Sequence, residues 1–281
     1  MKICSTVLEA RAACGDARIN RGRLGLVPTM GALHEGHLSL VRSAQAQCDV
    51  VAVSIFVNPA QFGPTEDLSK YPRQFDRDCQ LLEKEGAEIL FAPSVEEIYP
   101  KGAVTWVSVE VLSGKLDGRS RPGHFRGVAT IVSKLFHIFE PEAAFFGQKD
   151  AAQLAVIRRM VRDLNFAVEI VACPIVREPD GLAMSSRNAY LNREERERAL
   201  ALQRSLQETR RRFDGGERNS AALISGAKDV IASEPRVVLD YFEVVDPETL
   251  DPVERISRKT LVAVAAKVGS TRLIDNVVLE P

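Results

Sequence analysis

Leu24-Gly25-Leu26-Val27-Pro28-Thr29-Met30-Gly31-Ala32-Leu33-His34-Glu35-Gly36-His37 runs from a short apolar segment through a turn to two histidines, and Leu38, Leu40, Val41 and Ala44 then recur at helical spacing. The passage reads as strand, loop and amphipathic helix. It is not a Walker-type phosphate loop, because no Gly-Lys-Ser/Thr closes it. What stands there instead is His-x-Gly-His at a strand-to-helix junction, with two of the chain's four histidines inside four residues.

The same alternation continues outward. Residues 50–57 are almost wholly apolar, as a strand covered on both faces must be. Residues 74–85 read as a helix closed by Gly86, and 89–92 as a strand. Residues 143–146 and 168–173 are two further strands, separated by a helix over 151–164 in which Leu154, Ile157, Val161 and Leu164 share a face. Alternating units of this length predict an α/β architecture, a Rossmann-like doubly wound parallel sheet, whose ligands bind beyond the carboxyl ends of the strands. After Val176 the texture changes to a polar stretch, an Arg/Glu-rich helix over 194–213, a break at Asp214-Gly215-Gly216, and a second helix capped by Ser220. Strands are expected at 237–245, 260–268 and 271–279. The expected organisation is therefore a domain over 1–176 and a second, smaller α+β C-terminal domain over 177–281.

Composition narrows the function classes. In 281 residues, 37 Lys+Arg against 38 Asp+Glu leave a formal charge of −1, so nothing basic calls for nucleic acid or a membrane surface. The run Arg210-Arg211-Arg212 sits among Glu194, Glu195, Glu197 and Glu208 and reads as a solvated helix face. Five scattered cysteines without a C-x-x-C pair argue against a disulfide framework or structural zinc, and for a reducing cytoplasm. Near the start, Ala12-Ala13-Cys14 mimics a lipoprotein cleavage site, but Glu9 and Arg11 interrupt any apolar leader. No apolar stretch approaches the ~20 residues that span a bilayer.

Three loops carry candidate chemistry. In the first, Gly36 lets backbone approach a bound group, free N–H groups at the helix start favour an anion, and His34 and His37 are spaced to reach one phosphate. The second is Gly147-Gln148-Lys149-Asp150, where a lysine can sit over phosphates and Asp150 can cap a helix or hold a metal through water; alone, it reads as an ordinary turn. The third, Met184-Ser185-Ser186-Arg187-Asn188, pairs hydroxyls with a guanidinium in a segment that can close over the first domain, although polar interdomain linkers are common.

Residues 27–38, from Val27 through the His-x-Gly-His element, resemble the first signature of the pantoate–β-alanine ligases (pantothenate synthetases), within the nucleotidyltransferase superfamily. Ser54-Ile55-Phe56-Val57-Asn58-Pro59-Ala60-Gln61-Phe62-Gly63, Tyr71-Pro72-Arg73 and Arg121-Pro122-Gly123-His124-Phe125-Arg126-Gly127-Val128 resemble it too. So do Phe146–Asp150, Ala183–Asn188 and Thr271-Arg272-Leu273-Ile274-Asp275-Asn276, in order over nearly the whole chain.

That resemblance implies ATP-dependent condensation of pantoate with β-alanine through pantoyl adenylate. It implies that Met30, Gly31, Ala32, Leu33, His34, Glu35, Gly36 and His37 lie along ATP, with His34, His37 and Lys149 catalytic and His37 the proton donor. Gly147, Gln148, Lys149, Asp150, Met184, Ser185, Ser186 and Arg187 complete the phosphate cradle, Val176 lies near adenine, and Gln61 and Gln153 grip pantoate. Mg²⁺ travels with ATP, with no protein ligand assigned, and the assembly implied is a homodimer joined through the N-terminal domains. Ala151-Ala152 stand where the family pattern has an aromatic and Gln, and Ala60 where Leu or Met is commoner, so a slightly roomier pantoate pocket is expected. His124 and Arg126 have a loop role near the site or at a dimer contact, and His137 a structural one. Two other readings compete: a different adenylyl- or cytidylyltransferase on the same cradle, and a nucleotide-binding module without turnover.

Overall fold

The computed structural model describes residues 1–64 and 66–281. Its larger sheet has six parallel strands: β1 (Lys2–Cys4), β2 (Leu24–Thr29), β3 (Val50–Ile55), β4 (Ile89–Phe91), β5 (Ala143–Gly147) and β6 (Glu169–Cys173). Their order is β1-β4-β3-β2-β5-β6, so the chain progresses one way from β2 and the other way from β5. The reversal falls between β2 and β5, where Gly25 pairs Ala143 and Leu26 pairs Ala144. Helices cover both faces: α1 (Val7–Arg21), α2 (Glu35–Gln45), α3 (Phe75–Lys84), the single turns α4 (Val95–Ile98) and α5 (Asp117–Ser120), α6 (His124–Phe139) and α7 (Ala151–Asp163).

Alternate residues of each strand point to opposite faces, and the core divides accordingly. Leu24, Leu26, Val50, Ala52, Ile89 and Phe91 pack with α1, α6 and α7. Val27, Val51, Val53, Leu90 and Phe145 pack with Leu40 and Val41 of α2 and Leu82 of α3.

Beyond β6, α8 (Arg193–Asp214) and α9 (Ser220–Ala232) precede an antiparallel sheet of β7 (Val237–Val245), β8 (Thr260–Val268) and β9 (Thr271–Leu279), in that order. One face of this sheet, with Val262, Val264 and Ala266, packs on Leu202, Leu206 and Leu223 of the two helices. The other face, with Tyr241, Ala263 and Ala265, joins the core of the larger sheet. Burial on both sides explains why β8 reads as apolar from Leu261 to Ala266.

The observed elements differ from expectation in several places. β1 and α1 had no strand or helix forecast, although Thr6 and Glu9 form a reciprocal capping box, a pattern readable in sequence. Helix α6 begins at His124 after Gly123, which adopts φ 83°, so His124 belongs to a helix rather than a loop. The cap of α9 is Asn219, whose side chain accepts from the Ala222 N–H; Ser220 is the first helical residue and is buried. His137 is exposed on α6, its ring 5.1 Å from that of Phe166.

Candidate active site

The crevice expected beyond the carboxyl ends of the strands opens at β2 and β5 as a cleft with a cavity of about 230 Å³. The segments following β2, β3, β5 and β6 all reach it, and α6 adds an apolar wall of Val128, Ile131, Val132 and Leu135.

After β2 the chain turns through Gly31 at φ 80° and Ala32 at φ 51°. The left-handed region costs a residue with a Cβ on the order of 1 kcal/mol, so something must hold Ala32 there. Asp78, on α3 and 1% exposed, does so: its two carboxylate oxygens accept the N–H groups of Ala32 and Leu33, each at 2.8 Å. His34 then caps α2, its Nδ1 accepting from the Gly36 N–H at 3.2 Å, while Nδ1 of His37 accepts from the His34 N–H at 3.3 Å. With both Nδ1 atoms occupied as acceptors, these bonds assign each ring proton to Nε2. The rings lie 4.1 Å apart. A Cβ on Gly36 would fall 2.9 Å from the His34 ring, so glycine is what lets that ring fold back over the helix start.

Both imidazoles are neutral. Burial pushes His34 down to about 4, helped by the Lys149 ammonium. Burial pushes His37 down to about 3, with His34 and Lys149 adding to it. Each therefore offers an N–H rather than a positive charge. Among the described residues Lys149 has no ion-pair partner, whereas Arg187 is held by Asp67 through Nε at 3.1 Å and an outer nitrogen at 3.0 Å. Burial opposes ionisation of Asp67, yet the Arg187 guanidinium keeps its carboxyl below the ordinary value.

Gln61 is set by Asn58, whose amide donates to Gln61 Oε1 and to the Gly127 carbonyl, both at 3.1 Å. The Gln61 carbonyl accepts from His124 Nδ1 at 2.8 Å, and Nε2 of that ring meets Arg121 at 3.0 Å. Burial, then Arg121, pushes His124 down to about 4, so this imidazole too is neutral. Sequence reasoning gave no role to Asn58 or Asp78. Asn58 ahead of Pro59 carries a turn signature; Asp78 carries no local signal, because its partners lie 46 and 45 residues away.

The cleft brings together Met30, His34, Gly36, His37, Gln61, Gly147, Lys149, Asp150, Gln153, Val176, Met184, Ser185, Ser186 and Arg187. It does not bring in Gly31, Ala32, Leu33, Glu35 or Gln148. The first three form a turn whose N–H groups are already engaged, that of Gly31 by the Thr29 hydroxyl and those of Ala32 and Leu33 by Asp78, and Glu35 faces outward to Arg42. Gln148 turns its side chain to Asn276. Ala60, Ala151 and Ala152 do not line the cleft either, and Ala151 and Ala152 are buried in the core. Among the described residues no three His, Cys, Asp or Glu side chains cluster as a metal site. Asp150 is the one carboxylate in the cleft wall among the described residues. No helix of the described residues is long and apolar enough to cross a membrane.

A family model described as pantoate-beta-alanine ligase matches residues 2–278. A pantothenate synthetase of Acidobacterium capsulatum is 58% identical, covering 99% of this chain and 97% of that one. One from Thermotoga neapolitana is 57% identical over 99% of this chain and 100% of its own. Among solved structures, a pantothenate synthetase from Thermus thermophilus superposes with a TM-score of 0.95 at 46% identity, with all of both chains covered. The ligase from Francisella tularensis, complexed with β,γ-ATP and β-alanine, gives 0.80 at 32% identity, covering 99% of this chain and 97% of that one.

Proposed function

This chain belongs to the pantoate–β-alanine ligase family, and from that premise we propose which of its residues carry the reaction. The reaction is the ATP-dependent condensation of pantoate with β-alanine. A pantoate carboxylate oxygen attacks the α-phosphorus of ATP, and the bond to pyrophosphate breaks. The amine of β-alanine then attacks the acyl carbon of pantoyl adenylate, the bond to AMP breaks, and the nitrogen gives up a proton. Adenylation is needed because a free carboxylate is a poor electrophile and AMP a good leaving group.

Negative charge builds on the departing pyrophosphate, and donors fixed in advance at that position contribute most. His34 and His37 present Nε2–H groups there, Lys149 an ammonium with no ion-pair partner among the described residues, and Arg187 a guanidinium that exchanges Asp67 for phosphate oxygens. Because both imidazoles are neutral at rest, proton donation by His37 requires the triphosphate first to restore its basicity. Gly36, Gly147, Asp150 and the segment Met184–Arg187 complete the cradle, with Met30 and Val176 alongside the nucleotide. Gln61 and Gln153 read the hydroxyls and carboxylate of pantoate, since an amide both donates and accepts. The α6 wall of Val128, Ile131, Val132 and Leu135 suits its paired methyl groups. A divalent cation needs only one or two carboxylates when phosphates supply the other oxygens. Asp150 as the lone acidic group fits Mg²⁺ carried in by ATP, where it would neutralise phosphate charge.

The observation that carries this reading is the convergence of His34, His37, Lys149 and Arg187 with Gln61 and Gln153 in one cleft. Exchange of radiolabelled pyrophosphate into ATP, with β-alanine withheld, tests it. Exchange must require pantoate and fall about a hundredfold or more in His37→Ala. Exchange without pantoate would mean a different acid is activated, and an unimpaired His37→Ala would remove that residue from the mechanism.

The remaining assignments rest on more general features. The unpaired thiols of five cysteines suit a reducing cytoplasm. A homodimer through the larger sheet's unit is supported by Val104, Trp106 and Val111, which are 82%, 46% and 72% exposed within eight residues of one another. A light-scattering mass near that of one chain would refute it. Residues 1–176 as the ATP- and pantoate-binding part and 177–281 as a lid is the division that places Met184–Arg187 at the join; proteolysis within 177–192 tests it.

A further inference from the structure

Thr271-Arg272-Leu273-Ile274-Asp275-Asn276 has no part in the chemistry just described, yet β9 lays it against the turn that bears Lys149. Asn276, 3% exposed, donates from one side-chain nitrogen to the carbonyls of both Gln148 and Lys149, each at 2.9 Å. Its Oδ1 accepts from Gln148 Nε2 at 3.2 Å. One amide thus holds two successive backbone carbonyls and the Gln148 side chain, from 128 residues beyond Gln148. Asn276 is itself held, since Asp275 Oδ1 accepts its backbone N–H at 2.8 Å. The Asp275 carboxylate is 4% exposed and receives two nitrogens of Arg177, at 2.7 and 2.9 Å. Arg177 opens the polar segment that leads to Met184–Arg187. The result is a continuous polar chain: Arg177, Asp275, Asn276, then the backbone of Gln148 and Lys149.

What a clamp adds is a fixed origin for the Lys149 side chain, whose ammonium has no other partner among the described residues. A charge placed to within a fraction of an ångström is worth far more in a phosphoryl transfer than one free to wander. We propose that Asn276 is a positioning residue for the adenylation step, acting through the backbone of Gln148 and Lys149 to set the lysine over the phosphates. The smaller sheet thereby takes part in forming the phosphate cradle. The proposal rests on the reading of Lys149 as a phosphate ligand.

A double-mutant cycle on pantoate-dependent ATP–pyrophosphate exchange tests it, in the full chain and with folding checked by circular dichroism. Asn276→Ala should slow exchange about tenfold or more when Lys149 is present. In a Lys149→Ala background the same change should cost no more than about twofold, because there is no longer a lysine to misplace. Equal slowing in both backgrounds, or no slowing when Lys149 is present, overturns the proposal. If Lys149→Ala itself exchanges at the unaltered rate, the assignment of the lysine fails, and the role of Asn276 fails with it. Should Asn276→Ala not fold, Asn276→Ser, which keeps a polar atom but is too short to reach both carbonyls, takes its place in the same cycle.

Discussion

Asp78 stands outside the cleft yet holds the turn that leads into His34 and His37. Its carboxylate is the sole side-chain partner, among the described residues, of the Ala32 and Leu33 N–H groups, in a turn that holds an alanine in the left-handed region. In Asp78→Ala, two backbone donors lose their charged acceptor, and bonds to charged groups contribute about 1.5–3 kcal/mol each. A loss of about 3 kcal/mol in urea unfolding is expected, together with a fall in pyrophosphate exchange as His34 and His37 lose their platform. A stable Asp78→Ala protein with full exchange would show that the turn holds itself. The histidines were legible in sequence because spacing and position at a strand-to-helix junction are local facts. Asp78 was not, since one aspartate in a helix's first turn looks like any other.

Elements were read well where burial imposes a pattern. Strands β3, β5 and β8 are apolar because both faces are covered, and β7 to β9 fell on the residues expected of them. Start points were read less well where a cap is set by backbone geometry, as at Gly123, or where Asn219 and Ser220 offer adjacent candidates. One contact between elements was invisible from sequence: the packing of α6 on the turn at Pro59–Gln61. Gly127 permits it, for a Cβ there would lie 2.2 Å from the Ala60 carbonyl oxygen and 2.6 Å from the Gln61 nitrogen. Gly127→Ala therefore pushes the turn off the helix, at a cost of about 1–3 kcal/mol for such overpacking. Its expected signature is a raised KM for pantoate with a smaller change in KM for ATP, because Gln61 moves and His37 does not. An unchanged pantoate KM would take Gln61 out of pantoate binding.

For the molecule as a whole, three neutral imidazoles, His124 buried and His34 and His37 half-buried, carry a consequence for acid stability. His34 and His124 lie near 4 and His37 near 3, against an ordinary 6.5 that each regains on unfolding. Between these limits the unfolded chain binds more protons than the folded one, so stability rises with pH. It is fully present above about 6.5 and is lost as pH falls towards the folded values. Carboxylates such as Asp67, with lowered values, are lost only below about 4. Melting temperatures of the ligand-free protein should thus already fall between about pH 6.5 and 5, before any carboxylate titrates. A flat profile over that interval would mean that these rings are charged in the native state.

The crevice between β2 and β5 is also a seam in time. Strand β2 meets β3 after one short helix, but it meets β5 only after a far longer stretch of chain; the Leu24 N–H donates to a Glu142 carboxylate 118 positions on. Joining distant segments is the slow part of forming a parallel sheet, because loop entropy is lost before contacts repay it. His34, His37 and Gln61 lie on the near side of that join, and Lys149, Gln153 and Arg187 on the far side. A half-folded chain therefore holds half a cleft and has no competent site for nucleotide. Gain of ATP binding during refolding would consequently report closure of the seam itself, and the substrate, by bridging both halves, would act as a staple against its reopening.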